Sequence, residues 1–392
     1  MHKIVPRVAD KICAELAETF PVVAITGPRQ SGKTTLAQTT FPKKQYVSLE
    51  DPDVRQAALS DPRGFLSALS DGAIIDEVQR VPELFSYLQG IVDKDRSNGR
   101  FILTGSHQFL LDQQISQSLA GRAGYLKLLP LSISETIGGS EEPIDSNEIL
   151  WRGLYPSTAI HGADPRLWFG AYVQTYLERD VRQLINVRDL STFQTFLRLC
   201  AGRTGSLLDI GALCNEASID YKTAKNWLSV LEASYVISLL KPYHTNYNKR
   251  LVKTPKIYFL DTGLASWLMG VKEPSQLEQH PLRGHLFETL VFSEILKHQY
   301  NQGEPSNIFF WRDSHKNEID FLLDRGLSRL AIEVKSGQTL NASFFAGLDY
   351  WKRLDPEHND ETLLVYIGEE LLNQSRGHSV ANWQNIEKAL KL

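Results

Sequence analysis

The chain has 392 residues, of which 42% are hydrophobic and 22% are charged, and its formal net charge is −4 at pH 7. This length exceeds one ordinary hydrophobic core and predicts about three domains of roughly 100–200 residues each, while the composition excludes a disordered or fibrous chain and a globally basic nucleic-acid binder. No apolar run approaches the ~20 residues that cross a bilayer, and the amino terminus lacks a signal core, so we expect a cytoplasmic protein without membrane contact.

The first motif is the stretch GPRQSGKTT, which follows the buried-strand pattern PVVAIT and precedes a helical segment. It fits the phosphate-loop pattern G-x-x-x-x-G-K-[ST], in which glycines let backbone amides face phosphate oxygens. Lys33 would supply a charge to the β- and γ-phosphates, and the Thr34 hydroxyl would ligate Mg²⁺. We expect an ATP site whose nucleotide-binding residues in this loop are Gly27, Gly32, Lys33, Thr34 and Thr35.

The next two predicted strands end in polar residues that suit the same site. GAIIDEVQRVP ends its apolar run in Asp76, which would hold Mg²⁺ through water, and Glu77, which would polarise the attacking water. The strand pattern in RFILTGSHQFL follows and ends near Thr104 and Ser106. In some NTPases an extra strand lies between the two motif strands and carries a polar sensor of the γ-phosphate, a role that either hydroxyl could serve. Hydroxyls that cap a strand-to-helix turn explain these residues equally well. Arg122 could reach a phosphate in its own subunit or in a neighbour, or could be a solvated surface arginine.

Four stretches together resemble an AAA-like ATPase family of bacteria and archaea that carries a carboxy-terminal domain of unknown function: GPRQSGKTTLA, IIDEVQRVPELF, ILTGSHQFLL and SLAGRAGYLKLLPLSISE. The resemblance is close over residues 1–140 and, with the later motifs, spans essentially the whole chain. It implies an α/β P-loop AAA-like ATPase domain at 1–140, ATP binding, and a core able to form a homo-oligomer. It names no substrate.

The middle of the chain predicts a helical bridge followed by a winged helix domain. Residues 141–203 are predominantly helical in pattern. Within 204–265, the sequence predicts a helix around 209–217, a tight turn, and a second helix from Tyr221, with Asp220 as its N-cap. This spacing is typical of a helix-turn-helix, and two strands around a basic turn would then form the wing.

A basic surface would accompany this predicted winged helix. The segment 241–256 contains five cations and no acid: Lys241, Lys249, Arg250, Lys253 and Lys256. On the second helix, Lys222, Lys225 and Asn226 would face outward. A DNA groove would accept such a surface. Winged helices attached to ATPases also dock proteins, and a basic hairpin can be a solvated face, so both alternatives stay open.

The last third predicts a helix and three strands that could bring acids together. The strands NEIDFLLD and RLAIEVKSG are joined by a short turn, and a turn centred near Gly326 places Asp320 opposite Glu333, close enough to share a cation. Lys335 follows Glu333 by two residues and therefore lies on the same face. Glu288, on the preceding helix, has an apolar turn after it, where an unpaired carboxylate would be costly.

These four positions resemble the PD-(D/E)XK nuclease superfamily, which implies an α/β nuclease-like domain at 280–392. The resemblance assigns catalytic roles to Glu288, Asp320, Glu333 and Lys335, and makes the three acids ligands of Mg²⁺. The alternative from the residues alone is a salt-bridged edge hairpin in which Lys335 pairs with Glu333 and Asp320.

The motifs together predict an ATP-driven protein that acts on DNA or RNA, with ATP and Mg²⁺ as cofactors. The rival prediction is a regulatory ATPase that uses its winged helix and an inactive nuclease-like domain to bind proteins. The three cysteines, Cys13, Cys200 and Cys214, have no metal-type spacing and are expected to be buried reduced thiols.

Overall fold

The computed structural model describes residues 4–106, 115, 118–138, 144–177, 190–243, 253–354, 360–368 and 374–390. The chain divides into two compact units. The first comprises Met1–Leu131 with the short segments Ala233–Tyr235 and Gln299–Pro305, and the second contains the remaining residues. In the described part of the chain, no helix is long and apolar enough to cross a membrane.

The first unit contains a five-stranded parallel sheet. Its strands are β1 (Val22–Thr26), β2 (Gln45–Ser48), β3 (Ala73–Asp76), β4 (Phe101–Gly105) and β5 (Ala123–Lys127). Its helices are α1 (Asp10–Thr19), α2 (Lys33–Thr40), α3 (Pro52–Ser60), α4 (Pro62–Ser67) and α5 (Leu84–Lys94), with a 3₁₀ turn at Val78–Arg80. The strand order is β2-β3-β4-β1-β5. The structure therefore confirms that an additional strand, β4, lies between the two motif strands.

Both faces of this sheet are buried, which explains the uninterrupted apolar run of β1. Val22 and Ala24 belong to one hydrophobic cluster, and Val23 and Ile25 belong to another. Successive residues of a strand point to opposite faces, so a parallel sheet that is covered on both sides needs apolar residues at every position. The carboxyl ends of the strands are left as the edge at which polar side chains can meet.

The second unit begins with a mostly helical region that leads into a small sheet. Its helices are α6 (Ile133–Ile137), α7 (Ser146–Arg152), α8 (Pro156–Ala159), α9 (Pro165–Tyr172), which continues as a π-helix over Val173–Leu177, α10 (Leu190–Ala201), α11 (Ile210–Ala217), α12 (Tyr221–Ala233) and α13 (Thr262–Leu268). The strands β6 (Ser206–Leu207), β7 (Ile237–Leu240) and β8 (Lys256–Phe259) form a sheet in the order β6-β8-β7.

The predicted pair of helices and the two strands after it are confirmed as elements. Asp209 caps α11, Ser218 turns the chain with a φ of 53°, and the Asp220 carboxylate accepts from the backbone of Lys222 at 2.9 Å and Thr223 at 3.0 Å. Strands β7 and β8 then pair in antiparallel fashion. The turn that would carry Lys249 and Arg250 lies outside the described residues.

The rest of the second unit is a six-stranded mixed sheet with helices. Its elements are α14 (Arg283–Tyr300), β9 (Ile308–Arg312), β10 (Glu318–Asp324), β11 (Arg329–Lys335), α15 (Ala346–Leu354), β12 (Glu361–Tyr366), β13 (Gln374–Ser375), β14 (His378–Asn382) and α16 (Ile386–Leu390), with 3₁₀ turns at Pro274–Leu277, Ala342–Phe345 and Trp383–Asn385. The strand order is β13-β14-β12-β11-β10-β9. Strand β10 is antiparallel to both of its neighbours, β9 and β11, and β12 runs parallel to β11.

Candidate functional site

The phosphate-loop motif forms the connection between β1 and α2, as its pattern predicts. A side chain at Gly27 would place its Cβ 2.1 Å from the carbonyl oxygen of Leu128, so this position excludes any larger residue. Gly32 adopts a φ of 97° immediately before α2, a conformation that favours glycine. Lys33 is 6% exposed, and its Nζ donates to the carbonyl oxygens of Gly27 at 3.1 Å and Pro28 at 2.7 Å. The loop backbone therefore packs closely against Leu128 at Gly27, and the Lys33 ammonium is held by carbonyl oxygens of the loop itself.

Three hydroxyls converge on the carboxylate of Asp76. The Thr34 Oγ1 lies 3.2 Å from both carboxylate oxygens, Thr104 also donates to Asp76, and the Tyr46 hydroxyl donates at 2.8 Å. Burial, followed by the hydrogen bond to Asp76, raises the pKa of Tyr46 to about 12, so the phenol remains a proton donor. Because Thr34 and Asp76 are adjacent oxygen ligands of the kind Mg²⁺ takes, this donor set fits the predicted metal.

Glu77 is held beside Asp76 by two further side chains. Its backbone is left-handed, with a φ of 53°. Its Oε2 accepts from the Ser106 hydroxyl at 3.1 Å and from the Gln79 side-chain amide. The Oε1 of Gln79 is buried and has no hydrogen-bond partner. The structure therefore leaves an unused acceptor next to the candidate catalytic carboxylate.

The phosphate loop is also fastened by an arginine from the amino-terminal segment. Arg7 is 9% exposed, and its guanidinium donates to the carbonyl oxygens of Ser31 at 2.8 Å and Leu129 at 2.9 Å. Arg7, Tyr46 and Gln79 are not among the residues predicted from the sequence motifs. Gln79 follows Glu77 by two residues and could have been found there, whereas Arg7 and Tyr46 carry no local motif.

The structure does not bring Arg122 to the phosphate loop of its own chain. Arg122 immediately precedes β5, whereas the loop follows β1, and these neighbouring strands are parallel. The two positions therefore lie at opposite edges of the sheet, separated by a strand of roughly 16 Å. The guanidinium instead bonds Asp93 through Nε at 2.6 Å and Nη2 at 3.0 Å. Thr35 lies in the first turn of α2, and its side chain is exposed.

The second group of candidate residues lies on β10 and β11. The two strands pair from Phe321↔Ile332 to Asp324↔Arg329, and Asp320 and Glu333 are the next residues of the two strands beyond this paired stretch. The Asp320 carboxylate accepts from the Val334 backbone at 2.8 Å. Lys335 Nζ lies 2.6 Å from Glu333 Oε2 and 4.0 Å from Asp320 Oδ2. These are the ion pairs expected for a salt-bridged hairpin. The hairpin does not lie at the edge of the sheet, however, because β10 and β11 each have a neighbouring strand on both sides.

Glu288 meets two residues from β8 instead of the hairpin. Lys256 Nζ lies 3.0 Å from Glu288 Oε1 and 2.5 Å from Glu318 Oε1, and the Tyr258 hydroxyl donates to Glu288. Lys256 is 3% exposed. Its placement in the exposed basic surface is therefore wrong, because the K-x-Y spacing in β8 points both side chains into the protein. We call this group of ion-paired side chains, together with Tyr258, the acidic cluster. Its charged members are the acids Glu288, Glu318, Asp320 and Glu333 and the bases Lys256, Arg312 and Lys335.

The carboxylates of this cluster influence one another's ionisation. Burial raises the pKa of Glu333 to about 8, and the negative charge of Asp320 adds to the shift. Burial also raises the pKa of Glu288 to about 7, partly offset by Lys256. Burial works to lower the pKa of Lys335, but Asp320 and Glu333 outweigh it and raise that pKa. The acids are therefore close enough to repel one another strongly, and the lysines carry the compensating charge.

The acidic cluster does not fit a divalent metal in this arrangement. Among the residues that the structure describes, no group of three His, Cys, Asp or Glu side chains is arranged to hold a metal ion. The carboxylates of the three predicted ligands instead accept hydrogen bonds from lysine, tyrosine and backbone donors; these ligands are Glu288, Asp320 and Glu333.

The basic surface predicted on α12 is present in part. Lys222, Lys225 and Asn226 are all exposed. Lys225 Nζ lies 4.8 Å from the centre of the exposed Tyr221 ring. An exposed aromatic ring beside lysines can stack on a base or pack on a protein, so this surface alone leaves both partners open.

Three protein families match successive parts of the chain. Residues 19–137 match the family described as "AAA domain", residues 144–275 match "Domain of unknown function (DUF8612)", and residues 283–386 match "Domain of unknown function (DUF4143)". The first match identifies the amino-terminal unit as a P-loop ATPase-like domain of AAA type.

Relatives from bacteria and archaea are similar over most of the chain. An uncharacterized protein of Mycobacterium tuberculosis is 32% identical over 327 residues, which cover 82% of this chain and 72% of that protein. An uncharacterized protein of Methanocaldococcus jannaschii is 23% identical over 334 residues, covering 77% and 72%. Among solved structures, the Walker-type ATPase PABY2304 of Pyrococcus abyssi is similar with a TM-score of 0.45 and 16% identity, covering 66% of this chain and 94% of that one.

Proposed function

We propose that this chain, which belongs to the same family as its mycobacterial relative, is an ATPase. It binds ATP and Mg²⁺ at the phosphate loop and hydrolyses the bond between the β- and γ-phosphates. The observation that carries this proposal is the convergence of Thr34, Thr104 and Tyr46 on Asp76, next to Glu77 and the loop lysine. A structural turn would not need a buried carboxylate with three hydroxyl partners beside a glycine-lined loop.

The side chains divide the reaction among them. Backbone amides of the loop and Lys33 bind the phosphate oxygens, and Thr34 with Asp76 would hold Mg²⁺, which neutralises phosphate charge when bound. Glu77 orients the attacking water and takes its proton as the water oxygen bonds the γ-phosphorus. The bond from that phosphorus to the bridging oxygen breaks, and ADP leaves. Thr104 and Ser106, at the carboxyl end of β4, now donate to Asp76 and Glu77, and either hydroxyl would have to turn away from its carboxylate to donate to the γ-phosphate.

Two substitutions test this assignment. Lys33→Ala should abolish ATP turnover by weakening phosphate binding, whereas Glu77→Gln should keep ATP binding and lower turnover by about 10²–10⁴-fold. Turnover is measured by phosphate release, and binding with a fluorescent ATP analogue. Lys43→Ala, an exposed lysine after α2, is the matched control. Turnover at the wild-type rate in either Lys33→Ala or Glu77→Gln contradicts the assignment.

A finer proposal is that the middle region is a winged helix that binds nucleic acid. It is supported by the capped helix pair α11 and α12, the antiparallel strands β7 and β8, and the exposed lysines of α12. Duplex DNA and single-stranded RNA of equal length, compared at two salt concentrations, would identify the preferred nucleic acid. Absence of binding to both at low salt would favour a protein partner. A homo-oligomer, in which Arg122 could reach a neighbour, also remains a proposal.

The second finer proposal is that residues 280–392 form a nuclease-like domain. The order helix, three antiparallel strands, helix, parallel strand agrees with it, and so does the register of β10 against β11. Because the carboxylates are bonded to lysines, the geometry favours the regulatory ATPase with an inactive nuclease-like domain over an enzyme that cleaves nucleic acid. Incubation of DNA and RNA with the protein and Mg²⁺ or Mn²⁺ tests this. Metal-dependent degradation that Asp320→Asn abolishes would establish the nuclease instead.

A further inference from the structure

Lys256 is the charged residue of the acidic cluster whose presence there the sequence motifs did not predict. It comes from β8, in the sheet β6-β8-β7, and not from the strands that carry the cluster's acids. Its ammonium is buried between Glu288 and Glu318, at 3.0 and 2.5 Å. Tyr258, two residues later on the same strand, donates to the same Glu288 oxygen. One strand therefore contributes two donors to one acidic site.

A buried ammonium is stable only where carboxylates or other acceptors replace its hydration. Glu288 and Glu318 serve this purpose for Lys256, so removing either partner would leave an uncompensated charge. A divalent cation would require the same carboxylate oxygens, because hard cations bind through carboxylates. The ammonium and the metal are thus competitors for one set of ligands.

The rest of the acidic cluster is compensated in the same way. Lys335 ion-pairs with Glu333 and lies 4.0 Å from Asp320, and Arg312 lies 3.1 Å from Glu318. Four carboxylates therefore face three cations within the cluster. A divalent ion would add charge to a site that is already close to neutral.

We propose that the acidic cluster is a socket for the Lys256 ammonium, which takes the place of a divalent cation and fastens β8 to the carboxy-terminal sheet. A second link between the same parts supports this attachment: the Phe310 backbone accepts from Tyr243 at 2.7 Å and donates to Lys241 at 3.2 Å. The carboxy-terminal domain then acts as a metal-free module joined to the middle region. This inference goes beyond the ATPase proposal and does not depend on ATP turnover.

The test compares Mn²⁺ uptake by the full-length wild type, Asp320→Asn and Lys256→Met, by calorimetry in the absence of nucleotide. Wild type and Asp320→Asn should take up the same number of ions, because any ion bound at the phosphate loop is common to both. Lys256→Met should unfold at a temperature lower by roughly 6–20 °C, since it removes a buried cation from two partly buried carboxylates and, among the described residues, leaves Glu288 with only the Tyr258 hydroxyl and Glu318 with only Arg312. Added Mn²⁺ should restore much of that loss by occupying the vacated position.

Lys253→Met is the matched control, because Lys253 is exposed just before β8 and should change neither stability nor metal uptake. An additional Mn²⁺ in the wild type that Asp320→Asn lacks would overturn the proposal. So would a Lys256→Met protein as stable as the wild type, or one that Mn²⁺ does not stabilise. If Lys256→Met does not fold, the comparison of wild type with Asp320→Asn still decides. ATP turnover, measured in parallel, reports separately on the proposed ATPase.

Discussion

The contact between Gln79 and Glu77 allows a quantitative prediction about ATP hydrolysis. The Gln79 side-chain amide donates to Glu77 Oε2, so this side chain fixes the orientation of the carboxylate. Gln79→Met keeps the length of the side chain but removes this hydrogen bond. A hydrogen bond to a charged group contributes about 1.5–3 kcal/mol, and 1.36 kcal/mol corresponds to tenfold in rate. We therefore expect turnover to fall about 10- to 160-fold.

Steady-state phosphate release and equilibrium binding of a fluorescent ATP analogue check this prediction. The analogue should bind Gln79→Met as it binds the wild type, because Gln79 contacts Glu77 and not the phosphate loop. Gln56→Met, on the exposed side of α3, is the matched control and should leave both measurements unchanged. Faster turnover in Gln79→Met would mean that Gln79 holds Glu77 away from the water, and unchanged turnover would mean that it has no role; either result refutes the reasoning.

Two further predictions concern the cysteines and the basic surface. Burial raises the pKa of Cys13 and of Cys200 to about 12, so at pH 8 only the partly exposed Cys214 should react with a disulfide reagent such as DTNB, and all three cysteines should react after denaturation. Fast labelling of more than one thiol in the native protein would contradict the described core. If α12 contacts duplex DNA, Lys222→Gln and Lys225→Gln should each reduce the slope of log K against log salt by about 0.9. An unchanged slope would count against this helix as the DNA contact.

The sequence by itself determined the features that depend on local geometry. The phosphate loop could be predicted because its glycines, lysine and threonine are consecutive and the apolar run before them can only be a buried strand. The antiparallel pairing of β10 with β11 could also be predicted, because a short turn and the two-residue period of strands set the register. The cap of α12 follows from Asp220 in the same way.

Only the tertiary structure decided which distant residues meet. Arg122 is adjacent to a glycine turn in the sequence, but the parallel pairing of β5 with β1 places it at the edge opposite the phosphate loop. Lys256 looked like one of several exposed cations, and its burial depends on how β8 packs against α14 and β10. Charge and hydrophobic period describe a side chain's own strand or helix. Whether a lysine remains in water or neutralises a buried acid depends on the partner that the fold supplies, which in this chain lies 32 residues away in sequence at Glu288.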